Sequence, residues 1–552
     1  MKRTYKRLSL LLISLALGAT LEARQSPQKF YDDDPIPDEP VTQDVTKAAH
    51  YEPDYFYEFV SNIFWHPGSP VLGQRAGNIN TVDEVPDGPF YVNRAGSVPL
   101  TSAMVARAAN TGSGPAAGPW QIISAKSDGV SPGFTIRDGA GKVWYLKFDP
   151  PGYRGMATGS EIVGAKLFWA LGFHTTDYYI TRLVPSDLVI TAAAKVTPPG
   201  EAKRAMRQGD VDWLLRNSQP DPDGSYRVVA SLAVPGRYVG RILFEGTRTD
   251  DPNDIVPHEH RRELRGYFVF AAWLNHVDVK GTNSIVTDVT EGGRSFIRRY
   301  LLDFGSILGS AGNKPRERWE GFETFVEPLG EIFKRSLTFG LLIPGWRRTA
   351  FYEAPAIGRV PRDSRSWNPD TWKPHITNSA FRHIRADDKF WAARKLTSIT
   401  EEMVRAAVAE GQFGDAAAEE VLVKMIMERR AKILAAYLPA VNPIVEPALD
   451  AQGQLTFRNI AVDAGVAPPP AGYRAAWSTF DNTTGSVTAL GESQAAGAAL
   501  SAPKIPQTEF LKVEVSAIGT SFARWEVPVT LYFRNRAGAW RLVGLERLPD
   551  RR

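Results

Sequence analysis

Asn275-His276-Val277-Asp278-Val279-Lys280-Gly281-Thr282-Asn283, continuing to Leu301-Leu302-Asp303-Phe304-Gly305, is the stretch whose reading decides the fold. Before it, Arg265 to Leu274 (RGYFVFAAWL) is a largely apolar run, read as a buried helix that delivers a polar loop. After Asn283, the segment Ser284 to Val289 reads as a strand. Glu291-Gly292-Gly293-Arg294 reads as a turn, and Ser295 to Leu302 as the returning strand. Such a hairpin brings Asn283 and Asp303 together at its open end, with Asp278 just upstream. Oxygen-bearing side chains converging on one point suit a hard cation such as Mg²⁺.

Working outward, a strand meander precedes this stretch. Trp120 to Lys126 reads as a strand, Ser127 to Gly133 as a small-residue loop, and Phe134 to Arg137 as a second strand. Asp138 to Lys142 makes a turn, and Val143 to Phe148 a third strand. Period two puts Val143, Tyr145 and Lys147 on one face, so Lys147 can project into a cleft while Trp144, Leu146 and Phe148 pack behind. Taken alone, Lys147 reads rather as a snorkelling surface lysine. Gly159 to Gly172 has helical period, with Ser160 as N-cap and Glu161 in the first turn, where a carboxylate complements the helix dipole. Gly129-Val130-Ser131-Pro132-Gly133 matches the G-x-S-x-G of a hydrolase nucleophile elbow. That elbow uses the N–H after the serine, and Pro132 has none. His258-Glu259-His260 lacks a further matched ligand for a metal and reads as the start of the long helix.

In this order the residues resemble the protein-kinase-like superfamily, closest to its divergent bacterial HipA-like members, with H-x-D-x-K-x-x-N at 276–283 and D-F-G at 303–305. The resemblance covers roughly residues 120–440. It implies an α+β fold with a β-rich N-lobe (119–245) and a helical C-lobe (246–440), the lobes joined near Arg237 to Glu245. It implies ATP and Mg²⁺ as cofactors. Lys147 would contact the ATP phosphates with Glu161 holding it, and Ser127, Gly129 and Gly133 would belong to the loop over the phosphates. Asp278 would be the catalytic base, Lys280 would help on the transferred phosphate, and Asn283 and Asp303 would hold magnesium. The acceptor would be a protein or a small molecule bearing a hydroxyl. Val277 replaces the arginine of H-R-D, no A-P-E follows Gly305, and the 127–133 loop is not G-x-G-x-x-G, so regulation by a phosphorylated activation loop is not expected. A catalytically inactive nucleotide- or ligand-binding protein of the cell envelope is the alternative reading.

Composition frames the rest. The 552 residues are 43% apolar and 23% charged, a globular balance, and the formal charge of +4 sits largely in Lys2, Arg3, Lys6 and Arg7. A nearly neutral remainder gives no reason to expect a nucleic-acid partner. Cysteine is absent, which excludes disulfides and thiolate chemistry. Residues 1–23 read as an export leader, with a basic start, an apolar run of about 12 residues and a small-residue cleavage site. The expected location is periplasmic or extracellular, with no membrane span once the leader is removed. Residues 24–50 read as a disordered acidic, Pro-rich linker, and 51–118 as an irregular extension whose aromatic start, Tyr51 to Trp65, could dock on the body. Pro439 to Pro447 reads as a second linker, and residues 448–552 as a small β-sandwich without a catalytic set.

Overall fold

This computed structural model describes residues 28–52, 55–61, 73–125, 132–198, 201–325 and 343–548, with scattered positions between 333 and 341. The leader-like residues 1–23 lie outside them. The chain is mixed α/β, with five sheets and no barrel among the described residues.

The first sheet has seven strands: β1 (Trp120–Ala125), β2 (Gly133–Arg137), β3 (Val143–Phe148), β4 (Tyr178–Leu183), β5 (Leu188–Val196), β6 (Arg204–Ala205) and β7 (Tyr226–Leu232). Their order is β4-β7-β3-β2-β1-β5-β6, and every pair is antiparallel except β1 with β5. Burial alternates along β3 as period two requires, with Trp144, Leu146 and Phe148 buried and Tyr145 exposed. The buried face packs against the short helix Gln208–Arg216 through Val211, Leu214 and Leu215. Helix α1 (Met156–Ala170) has fourteen of its fifteen residues buried, so it shows no polar stripe and packs on all sides.

The chain leaves the large sheet after Leu232 and enters β8 (Arg237–Gly240), which pairs with β9 (Ser284–Glu291). Residues 233–236 therefore connect the two sheets, and Arg237 and Tyr238 are already strand of the second. Helix α2 (Arg262–Leu274) delivers the 275–283 loop, and β9 pairs with β10 (Arg294–Leu301) in a hairpin turning at Gly292-Gly293. A small hairpin, β11 (Phe351–Ala354) with β12 (Gly358–Pro361), follows. Helices α3 (Ala386–Thr397), α4 (Glu401–Glu410) and α5 (Ala416–Tyr437) complete the helical part.

Two antiparallel sheets follow. One has β13 (Ile444–Leu449), β14 (Gln454–Asn459) and β17 (Ala499–Ser501). The other has β15 (Gly472–Phe480), β16 (Val487–Ala495), β18 (Phe510–Ile518), β19 (Val529–Arg536) and β20 (Ala539–Glu546). The expected linker at 439–447 is instead core: Val441, Ile444 and Val445 are buried, and one hydrophobic cluster runs from α5 into both sheets.

The reading of 24–50 as a disordered linker is corrected for residues 28–50, which form a strap along the body. Phe30 is 2% exposed and sits among the rings of Tyr532 (5.0 Å), Phe480 and Phe510 (6.2 Å each). Polar residues that suggest solvation are used in ion pairs: Lys29–Glu546 at 2.7 Å, Asp32–Arg534 at 2.6 Å and Glu39–Arg261 at 2.7 Å. Val45 N donates to Ser295 O at 2.9 Å, extending the strap along β10. Of the aromatic segment after it, Tyr51 pairs with β8, its N–H donating to Val239 O at 3.1 Å, while Phe56 and Tyr57 are 77% and 65% exposed. Replacing Phe30 by Ala is expected to cost about 3 kcal/mol. A urea titration measures this, and a change below about 0.5 kcal/mol would show that the ring does not anchor the strap.

Candidate functional site

An aspartate decides where α1 begins. Asp149, directly after β3, accepts from the backbone N–H of Gly155 (2.7 Å), Ala157 (2.9 Å) and Thr158 (2.9 Å), closing the orphan donors of the first turn. Burial pushes its carboxyl up, against these N–H donors and Arg227, which pull it down. Ser160 is thus inside the helix rather than its N-cap, and Glu161 lies in the second turn. Close approach fixes the helix one turn past Glu161, since a Cβ on Gly164 would stand 2.5 Å from Phe304 Cβ.

With strand and helix set this way, Lys147 Nζ donates to Glu161 Oε2 at 2.8 Å and to Asp303 Oδ1 at 2.7 Å. The Glu161 side chain is 1% exposed, Lys147 16% and Asp303 37%, so the bridge runs from core to cleft. Burial works against the ammonium, but the Asp303 and Glu161 carboxylates outweigh it and raise its pKa above the usual lysine value. Glu161 Oε1 also accepts from Phe304 N at 3.1 Å, so one carboxylate holds both the lysine and the turn after β10. Asp303 itself is left-handed (φ 61°), a conformation that Asp tolerates better than most residues.

The hairpin joins the other residues to this pair. Leu302 N donates to Asn283 O at 3.1 Å across the open end. Asn283 Nδ2 donates to Asp278 O (2.6 Å) and Asp278 Oδ2 (3.2 Å), and Lys280 Nζ lies 2.9 Å from Asp278 Oδ1. Lys147, Asp278, Lys280, Asn283 and Asp303 all line one cleft of about 670 Å³, a volume in the range of small-ligand sites. Phe134, Tyr145, Leu146, Leu232 and Ile285 add apolar walls.

The remaining expected residues fare differently. Glu161 acts from behind the cleft through Lys147. Gly133 is the first residue of β2, opposite Lys147, and the cleft wall there is made by Phe134 and Thr135. Ser127 and Gly129 lie outside the described residues. His258 is held by Leu243 O (2.7 Å) and Asp254 (2.8 Å), a buried structural role. Sequence reasoning missed Tyr178, Tyr238 and Arg241, which line the cleft from elements read only as scaffold. It also missed Asp149, whose position between a strand and a Pro-Gly turn is a legible capping cue.

His276 completes the site from below. It is buried among the rings of Phe168 (5.9 Å), Tyr267 (6.1 Å) and Phe304 (6.1 Å), and Phe168 stacks on Phe304 at 5.1 Å. The rings link α1, α2, the polar loop and the turn after β10.

No family model, curated protein or solved structure matches the chain.

Burial pushes the His276 imidazole down to about 4, against the pull of Asp278, and burial does the same to His174. Each imidazole is neutral when folded, whereas the unfolded chain protonates near pH 6.5. Their contribution to stability is complete above pH 6.5 and is lost as pH falls through 6.5 towards about 4. Comparing unfolding free energies at pH 7 and pH 5, His276→Leu should remove about 2 kcal/mol of the wild-type difference. An unchanged pH dependence would show that His276 is already protonated in the folded protein.

Proposed function

We propose that the cleft binds ATP with Mg²⁺ and transfers the terminal phosphoryl group to an acceptor hydroxyl, on a two-lobed protein-kinase-like scaffold. One observation carries this reading: Lys147 Nζ is held between Glu161 (2.8 Å) and Asp303 (2.7 Å) in the cleft that also takes Asp278 and Asn283. The antiparallel run β1-β2-β3-β7-β4 with α1 against it, followed by the β9–β10 hairpin and the helices, supports it. With the leader-like N-terminus, the reading describes an exported enzyme.

Each group then has one task. Lys147 supplies positive charge to the phosphate oxygens, and Glu161 fixes its position. Among the described residues, no three His, Cys, Asp or Glu side chains form a metal cage. Asp303 with Asn283 suits a cation that leans on phosphate oxygens and water, which is how Mg²⁺ binds. Asn283 Nδ2 is committed to Asp278, so Oδ1 is its atom for the cation. Bound there, Mg²⁺ would neutralise charge on the phosphates. Asp278 accepts the proton of the acceptor hydroxyl, and Lys280, 2.9 Å from that carboxylate, adds positive charge for the transferred phosphoryl group.

The test is thermal shift together with transfer from labelled ATP. MgATP at a hundred times its Kd should stabilise the protein by about 2.7 kcal/mol. Asp303→Ala should lose most of that gain. Asp278→Ala should keep it while transfer falls by about a hundredfold or more. Binding with no turnover, identical in wild type and Asp278→Ala, would instead favour a nucleotide-binding protein without catalysis. No response to any nucleotide with any divalent cation would overturn both.

A further inference from the structure

The charges lining the cleft do not all cancel. Lys147 is neutralised by Glu161 and Asp303, and Lys280 by Asp278. Arg241, just past β8, is the third cation of the lining, and among the described residues its only carboxylate within 4.0 Å is the Glu52 Oε2 of the strap, 3.7 Å from its Nε. That separation is too long for a hydrogen bond, and Nε is buried with no acceptor. The rest of the guanidinium is fixed. Nη1 donates to Ser284 O (2.6 Å) and Thr282 O (3.2 Å), and the fork lies over the Tyr238 ring at 5.5 Å. Glu52 is half-committed elsewhere, accepting from the Tyr238 hydroxyl and pairing with His50 at 3.4 Å. The strap is seated closely enough to deliver it: Tyr51 N donates to Val239 O at 3.1 Å, and any Cβ on Gly240 (φ 123°) would collide with Tyr51 O.

We propose that Arg241 binds an anionic group of the acceptor, a carboxylate or phosphate carried beside the reacting hydroxyl, and that Glu52 is the counter-ion this anion displaces. The assignment to the acceptor rests on the nucleotide reading of the same cleft. Lys147, Asp303 and Asn283 serve the nucleotide phosphates from the end of β3 and the open end of the hairpin. Arg241 reaches the cleft from just past β8 and is tied to Thr282 O and Ser284 O, at the end of the loop that carries Asp278 and Lys280. A planar fork with a buried, unpaired N–H suits an oxyanion better than a neutral group, and an unmade hydrogen bond there is costly until one arrives.

Inorganic phosphate is the probe for the anion and MgADP the control for the nucleotide. Both are titrated by thermal shift at constant ionic strength on the full chain. Arg241→Met should weaken phosphate binding by about tenfold or more, the value of a lost charge-assisted hydrogen bond. Glu52→Gln, which leaves Arg241 in place, should tighten it several-fold. MgADP affinity should stay unchanged in both. Phosphate binding unaltered in both variants overturns the proposal. A parallel loss of MgADP affinity in Arg241→Met also overturns it, by giving the anion to the nucleotide. If Arg241→Met does not fold, Glu52→Gln decides by the same criterion. Failure of MgADP to bind wild type sinks the nucleotide reading alone, because the phosphate titration of the two variants still reports on Arg241.

Discussion

A single ammonium ties the architecture together. Lys147 leaves β3 and reaches Glu161 on the next element, α1, and Asp303 after β10, 156 residues further on. Desolvating a charge costs several kcal/mol, and good geometry with two counter-charges recovers it. The pairing is therefore strict. A shift of the helix by one residue, or of the hairpin by one register, would leave an expensive charge alone. The Asp149 cap sets the first of these and the unbroken β9–β10 pairing from Ser284–Leu301 to Glu291–Arg294 sets the second. Phe304, with its N–H on Glu161 and its ring on Phe168, locks the turn that presents Asp303.

Much of this was legible because it is written in local patterns. Val143 to Phe148 alternates cleanly, so the direction of Lys147 follows from period two alone. The apolar run before Asn275 and the Gly-Gly turn at 292–293 define a helix, loop and hairpin, and the hairpin dictates that Asn283 and Asp303 approach. The expected Lys147–Glu161 pair also survives the error about the helix start. Moving the N-terminus from Ser160 to Met156 lengthens the helix without moving Glu161 off the face that meets β3.

What was hidden depends on partners distant in sequence. The parallel β1–β5 pairing leaves no trace in either strand. Pro443 and Pro447 disguised β13, which tolerates Pro447 with a register irregularity between Val445 and Ala448. The strap reads as solvated because Lys29, Asp32 and Glu39 are polar. Only the presence of Glu546, Arg534 and Arg261, hundreds of residues away, converts them to anchors. Arg241 is likewise silent in sequence, since its meaning comes from the loop it touches and from Glu52.

The strap also sets an order of events during synthesis. Lys29 pairs with Tyr532 and Glu546 at separations of 503 and 517 residues, so the strap meets partners that emerge some five hundred residues after it. At about 5–20 residues per second, the beginning of the chain waits roughly half a minute or longer before its pocket exists. The sheet carrying Lys147 is complete by Leu232 and can pair long before that. Seating of Phe30 between Phe510 and Tyr532 thus waits for the five-stranded sheet, an act of closure open only to a chain translated past Glu546.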